Sequence, residues 1–239
     1  MRRVNAFEIA IEIARNGAAT ILPWRTSLDY YTDWKSYGEG IYATHIEQLS
    51  PVGFAIEGKD VLEIGPGSSL WSAYLCRKRG ARSVVAIDVR NFLIKRNSPD
   101  DALDEVTYLS PRMAENTGLP SSTFDLIYSH AVLEHVHAPK QVLSEMLRLL
   151  RPGGYTSHQI DTRNHLDFSR PNEHLALPGW VWLLMTSNRS SYTNRYTIPM
   201  WLELFPRDGL EVLSARETET NEHPERPDGG LLIRARKPL

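Results

Sequence analysis

Apolar positions recur at two different periods along this chain, and the switches between them outline its elements. Near the start, Val4, Phe7, Ile11 and Ala14 recur every three or four residues, with Glu8, Glu12 and Arg15 on the other faces. This predicts an amphipathic helix over residues 3–16, stopped by Asn16-Gly17. From residue 59 onward, short apolar runs alternate with helical stretches. Val61-Leu62-Glu63-Ile64 predicts a first strand over 59–64, followed by a helix with Leu70, Trp71, Tyr74 and Leu75 on one face. Ser83 to Asp88, Val106 to Leu109, Ser122 to Ser129 and Tyr155 to Ile160 predict strands two to five. Between the last two, His130 to Val136 reads as a loop and helix start. Pro139 suits a first helical turn, Val142, Leu143, Met146, Leu149 and Leu150 give an apolar face, and Arg151-Pro152-Gly153-Gly154 gives a stop. Strands alternating with helices predict an α/β fold with a mainly parallel, doubly wound, Rossmann-like sheet.

The remaining stretches break this rhythm. Trp24 to Tyr42 is rich in aromatic residues and reads as a helical cap over one end of the sheet, placed to exclude water from a site beneath it. Tyr31 and Trp34 are its candidates for touching an acceptor. Asp100 to Glu105 reads as a solvated acidic turn. Residues 161–196 are too long for a plain connection and predict a wall of a substrate pocket, with a helix near 178–187 and with Trp180 and Arg195 as candidate contacts. Ile198 to Phe205 predicts a further helix. Gly209 to Ala215 and Gly230 to Ala235 predict a final strand pair around a polar loop. No linker divides the chain, so residues 1–239 are expected to form a single domain, with 1–50 as its N-terminal helical cap and 161–196 as an insertion.

The candidate chemistry centres on Glu63-Ile64-Gly65-Pro66-Gly67-Ser68-Ser69, between the first strand and its helix. Gly65 and Gly67 let a ligand lie against the backbone, and the helix N-terminus beyond offers free N–H groups. A dinucleotide fingerprint asks for a third glycine three residues after the second, and Leu70 stands there. Glu63 would repel a pyrophosphate but attract an amino group. S-adenosylmethionine carries an ammonium, a sulfonium and a carboxylate but no phosphate, so the pattern fits it better than a nicotinamide dinucleotide. Asp88, about twenty residues past the turn at a strand end, is placed to accept hydrogen bonds from ribose hydroxyls.

Composition removes several alternatives. The net charge of −2 gives no basic signature of a nucleic-acid binder. Cys76 is the only cysteine, which excludes an internal disulfide and a multi-cysteine zinc site and suits a reducing cytoplasm. No apolar run is long enough to span a bilayer, and Glu8 and Glu12 interrupt any signal-peptide core, so no membrane insertion is expected.

Taken in order, these motifs resemble the class I S-adenosylmethionine-dependent methyltransferases, especially the group acting on small molecules. Val61-Leu62-Glu63-Ile64-Gly65-Pro66-Gly67 looks like that family's glycine motif, and Ala86-Ile87-Asp88 like its ribose-binding strand end. Phe124-Asp125-Leu126-Ile127-Tyr128-Ser129 with Leu133-Glu134-His135-Val136 is similar to its fourth-strand motif. Leu149 to Gly154 is similar to the motif before its fifth strand. The resemblance implies a seven-stranded sheet with an antiparallel last strand, and a contact from Ser129 to the cofactor. There are departures. Ser68-Ser69 replaces a frequent third glycine, and Arg112-Met113-Ala114-Glu115 lacks the Asp that often reads the adenine amino group. Adenine contacts are therefore expected from the backbone near Ala114, with Met113 on the ring.

The expected activity is transfer of a methyl group from S-adenosylmethionine to an oxygen or nitrogen of a small-molecule acceptor by in-line displacement. His135, His130, Asp161 and His165 fall near the C-terminal ends of strands four and five, where open α/β sheets bind ligands, and are the candidate proton acceptors. Their spacing matches no standard metal motif, so no metal is expected. The alternatives are a catalytically silent S-adenosylmethionine-binding partner or sensor and, less well supported by Leu70, a nicotinamide-linked oxidoreductase. The protein is expected to be cytoplasmic and a monomer or homodimer.

Overall fold

The reason the chain folds around residues 60–161 is visible in its first strand, where all five residues of Asp60–Ile64 are buried. The computed structural model describes residues 5–21, 32–189, 192–218 and 229–239. The strands are β1 (Asp60–Ile64), β2 (Ser83–Ile87), β3 (Thr107–Leu109), β4 (Phe124–His130), β5 (Leu150–Asp161), β6 (Glu211–Thr218) and β7 (Gly230–Arg236). They form one seven-stranded sheet in the order β3-β2-β1-β4-β5-β7-β6. β1 to β5 are parallel neighbours, and β7 runs antiparallel to both β5 and β6. The predicted seven-stranded, mostly parallel sheet is therefore present, together with a helical N-terminal region. Strand order reverses between β1 and β4. That reversal opens a crevice beyond their carboxyl ends, where ligands of such sheets bind.

The helices are α1 (Ala6–Ile21), α2 (Trp34–His45), α3 (Trp71–Lys78), α4 (Ala102–Glu105), α5 (Pro139–Leu149), α6 (Gly179–Thr186) and α7 (Ile198–Arg207). Successive strand residues point to opposite faces, so the sheet carries two cores. On one face Leu62, Ile127, Val142, Leu143, Met146 and Phe205 pack together beneath α5 and α7. On the other, Val61, Leu126, Tyr128, Ile41, Leu49 and Ala73 pack beneath α2 and α3.

α2 starts at Asp33, whose carboxylate accepts the Ser36 N–H at 3.0 Å and the Ser36 hydroxyl at 2.6 Å. It crosses α3 closely because Gly38 has no side chain: a Cβ there would lie 2.3 Å from the Trp71 Cβ. Gly38→Ala is therefore expected to lower stability by about 1–3 kcal/mol through overpacking. A urea unfolding midpoint equal to wild type would show that the crossing relaxes at no cost.

Several boundaries differ from expectation. α1 does not stop at Asn16-Gly17. Asn16 is buried, donates to the Leu184 carbonyl and the Ser187 hydroxyl, and accepts the Asn188 N–H, so its polar groups are satisfied by α6 while the helix continues. Residues 150–154 do not merely stop a helix. They open β5, with Leu150 opposite Phe124 across a register shift and Gly153 at φ 76° absorbing the irregularity. The buried side of α3 is Ser72, Ala73 and Cys76, while Trp71, Tyr74 and Leu75 are half-buried. The acidic turn at 100–105 holds the short helix α4, fastened by Lys78 to Asp101 and Glu105. No described helix is long and apolar enough to cross a membrane.

Candidate active site

The turn after β1 takes the shape that its glycines permit. Gly65 and Gly67 have φ of 71° and 67°, the left-handed region that costs other residues strain. A Cβ on Gly65 would lie 2.5 Å from a Val132 methyl, so the loop after β4 presses directly on this turn. A Cβ on Gly67 would meet nothing within 4 Å, which leaves open space above the backbone. Pro66 stands between them, half-buried.

Two carboxylates flank that space from neighbouring strands. Glu63 is 4% exposed. Its Oε1 accepts the Ser72 hydroxyl at 2.6 Å, and Ser72 lies 2.8 Å from the Tyr128 hydroxyl. Its Oε2 has no hydrogen-bond partner among the described residues. Burial pushes the Glu63 carboxyl up to about 7, against the pull of the Ser72 and Tyr128 hydroxyls. Asp88 follows β2, is buried, and accepts the Gly67 N–H at 3.1 Å. Burial raises its carboxyl to about 6. The carbonyl of Asp88 accepts the Arg112 N–H at 2.7 Å, which holds the loop carrying Met113 and Ala114 beside it. Met113 is half exposed and Ala114 is buried. Ser129 is fully buried between β1 and β5, with its hydroxyl 2.8 Å from His158 Nδ1.

Farther along the same edge, the side chains divide into two groups. His130 belongs to the α2 face: its Nδ1 lies 3.2 Å from His45 Nε2, and His45 Nδ1 lies 2.9 Å from the Ser157 hydroxyl. Tyr37 meets the His130 ring edge-on at 5.9 Å. Burial lowers His130 to about 4 and holds His45 well below the usual histidine range. The second group joins the loop after β4 to the loop after β5. His135 and His165 meet edge-to-face with ring centres 4.9 Å apart. His165 Nε2 lies 3.5 Å from Asp161 Oδ2. Arg163 grips Asp161 twice, Nε to Oδ1 at 2.8 Å and Nη2 to Oδ2 at 2.6 Å. Burial pushes the Asp161 carboxyl up, but the Arg163 guanidinium outweighs it and holds the group well below the usual carboxylate range.

The residues present fit S-adenosylmethionine. The open space over Gly67 leaves its backbone accessible to a ligand group. The orphaned Glu63 oxygen suits an ammonium, and Asp88 suits ribose hydroxyls.

Residues 62–157, which run from β1 to β5, match the methyltransferase domain family. These residues belong to that family. The fold of the domain is of the class I methyltransferase type. The chain is similar to a tRNA U34 carboxymethyltransferase of Pseudoalteromonas translucida, 32% identical over 148 residues, covering 56% of this chain and 42% of that one. It is similar also to a mitochondrial ubiquinone biosynthesis O-methyltransferase of Dictyostelium discoideum, 31% identical over 116 residues, covering 44% and 36%. The matches thus span about two fifths of those relatives' lengths. Among solved structures, an S-adenosylmethionine-dependent methyltransferase from Mesorhizobium loti has the same fold, with a TM-score of 0.62 at 20% identity, covering 84% of this chain and all of that one.

Within this methyltransferase domain, Glu63, Gly65, Pro66, Gly67 and Asp88 meet at the end of β1 and β2, with Met113 and Ala114 tied in through Arg112. His135, His165 and Asp161 come together, whereas His130 lies in the separate group with His45. Trp34 sits at the start of α2 against the Tyr37 edge at 5.9 Å. Tyr31 lies outside the described residues. Trp180 is 67% exposed on α6 and does not border the cavity between α1 and the insertion. Arg195 is a tether through Nη2, which donates to the Leu175 and Leu177 carbonyls at 2.7 Å each, while its Nε has no hydrogen-bond partner among the described residues. The insertion does meet α1 across a cavity of about 220 Å³, bordered by Glu12, Arg15, Asn164, His174 and Trp182.

Sequence reasoning missed His45, Ser72 and the support they give to His130 and Glu63. His45 stands 85 residues before its histidine partner. Only its fully buried place on α2 marks it, and a sequence does not show that.

Proposed function

We propose that the protein transfers a methyl group from S-adenosylmethionine to an oxygen or nitrogen of a small-molecule acceptor. The observation that carries this reading is the pair of buried carboxylates, Glu63 and Asp88, set at adjacent strand ends around a glycine turn with open space above it. Glu63 takes the ammonium, Asp88 takes the ribose hydroxyls, Gly65, Pro66, Gly67 and the Ser129 backbone form the bed, and Met113 and Ala114 border the adenine. When bound, S-adenosylmethionine supplies a methyl carbon already activated by its sulfonium. The protein's work is then to align the acceptor and exclude water, with α2 and the 161–189 segment closing the site around Trp34. His130 and His135, both near 4, are neutral at pH 7 and are weak proton acceptors, so alignment contributes more than base strength.

The acceptor is read as a small molecule because a net charge of −2 supplies no basic field for a phosphate backbone. The ubiquinone relative's name favours the same class, while the Pseudoalteromonas relative's name favours tRNA. Radiolabelled methyl transfer separates the readings, using phenols, quinols and amines in one set and bulk tRNA in another. Labelling of a phenol, quinol or amine supports the proposal. Labelling of tRNA alone overturns the acceptor class. Tight cofactor binding without transfer to any acceptor favours the silent binding module.

The raised carboxyls also set a pH dependence. Asp88 must be ionised to accept two hydroxyls, and its value lies near 6. Affinity for S-adenosylhomocysteine is therefore expected to fall as pH drops through about 6, by up to tenfold per pH unit for one linked proton. Asp88→Asn should flatten that slope. In the ligand-free fold the two carboxyls act in the opposite sense. Glu63 and Asp88 hold protons that the unfolded chain has released, so their contribution to stability declines as pH rises through the window from about 4 to about 7. The buried neutral histidines His130, His135, His158 and His174 act the other way and lose stability as pH falls through the same window, so the difference in denaturation midpoint between wild type and Asp88→Asn across that range checks the sign of the carboxyl contribution.

A further inference from the structure

Glu134, His135 and His165 each offer a ligand atom within 4.8 Å of the other two. Around an ion with bonds of about 2.1 Å, tetrahedral ligand atoms lie roughly 3.4 Å apart, so small side-chain rotations close the set. Both histidines are already oriented in the way metal ligands are. His135 Nδ1 lies 2.6 Å from the Tyr192 carbonyl, which can only accept, so the proton is on Nδ1 and Nε2 carries the lone pair. His165 turns its Nε2 toward Asp161, which leaves Nδ1 as the outward nitrogen. A ligating histidine commonly donates its other nitrogen to a carbonyl or carboxylate; here a carbonyl takes that place at His135, and a carboxylate stands 3.5 Å behind His165 Nε2, close enough to orient it once the ring shifts. Asp161 is itself neutralised and fixed by Arg163, so it serves to orient rather than to ligate. Two imidazoles and one carboxylate form a donor set for a divalent transition metal and not for calcium or magnesium, which prefer oxygen alone.

We propose that Glu134, His135 and His165 form a binding site for a divalent transition-metal ion of the zinc or cobalt type, oriented from behind by the Tyr192 carbonyl and Asp161. The site joins the loop after β4 to the loop after β5, on the edge where the acceptor is expected. An ion there has room in its coordination shell for an oxygen or nitrogen of that acceptor. The binding site stands on these side chains alone, and its part in catalysis rests on the methyl-transfer reading above.

The test is titration of chelator-treated full-length protein with Co²⁺, followed by its visible d–d absorption, with Zn²⁺ as competitor and thermal unfolding as a parallel readout. One equivalent is expected to bind, to be displaced by Zn²⁺, and to raise the melting temperature. His165→Ala and Glu134→Gln are expected to weaken binding at least 100-fold, and Asp161→Asn about 10- to 100-fold, the usual cost of losing an orienting partner. Saturation of wild type and His165→Ala at the same Co²⁺ concentration would overturn the site, as would no wild-type absorption change at millimolar Co²⁺. Should His165→Ala fail to fold, Tyr192→Phe leaves the carbonyl in place and Glu134→Gln alone decides. S-adenosylhomocysteine titration of the same samples separates the two readings: metal binding without cofactor binding removes the methyl-transfer reading and leaves the metal site standing.

Discussion

Replacing Arg163 by alanine is expected to destabilise the fold by about 3–5 kcal/mol. Arg163 is 1% exposed and Asp161 is 5% exposed, so the pair is held away from water. The cost of removing two charges from solvent is offset in part by a two-point contact, although the buried Arg163 Nη1 has no hydrogen-bond partner among the described residues. The guanidinium donates through Nε and Nη2 to both carboxylate oxygens, and the Arg163 N–H adds a third bond at 3.0 Å. The guanidinium also lies over the Phe168 ring at 4.7 Å. Its stem fills the space beside Gly229, where a Cβ would come within 2.3 Å of Arg163 Cγ. Alanine removes the counter-charge and leaves Asp161 buried and unpaired, together with a cavity. The double variant Arg163→Met, Asp161→Asn keeps the volume without charge and is expected to recover most of the loss. Urea denaturation of the three variants checks this. A loss below 1 kcal/mol in Arg163→Ala would mean that water reaches Asp161 and that the pair is only a surface contact.

The second large effect is on the cofactor. Asp88→Ala is expected to weaken S-adenosylhomocysteine binding by about 1–3 kcal/mol, which is roughly 5- to 150-fold. A carboxylate held near 6 by burial meets two hydroxyl donors at little further desolvation cost, because burial has already been imposed by the fold. The same residue accepts the Gly67 N–H, so alanine also releases one constraint on the glycine turn. Asp88→Asn separates the two roles: it retains an acceptor for Gly67 but lacks the charge. Unchanged affinity in both variants would remove Asp88 from the site.

How much of this was legible beforehand depends on how local the determining interactions are. β1, β2 and β4 announce themselves, because each is a run of Val, Leu, Ile and Tyr long enough to be buried on two faces. The glycine turn is legible for a related reason: backbone at φ near 70° at Gly65 and Gly67 favours residues without a Cβ. Asp88 is legible from its distance along the chain after that turn. What was not legible depends on partners far away in sequence. Asn16 looked like a helix stop because its own side chain competes with the backbone, and only α6, some 170 residues later, shows where its polar groups go. Gly153 and Gly154 looked like a boundary, yet β5 runs through them because the Gly153 N–H bonds to the Lys237 carbonyl and the Lys237 N–H bonds to Gly154. Sequence position alone places the histidines in one group along the sheet edge. The alternation of side chains along β4 sends His130 to the α2 face and leaves His135, in the turn after it, to meet His165.

Calorimetric titration with S-adenosylhomocysteine decides whether the glycine turn and its two carboxylates form an S-adenosylmethionine site. One-to-one binding at micromolar affinity, with no heat from NADH under the same conditions, is the expected result. Binding of NADH in place of S-adenosylhomocysteine would overturn that site while leaving the fold intact.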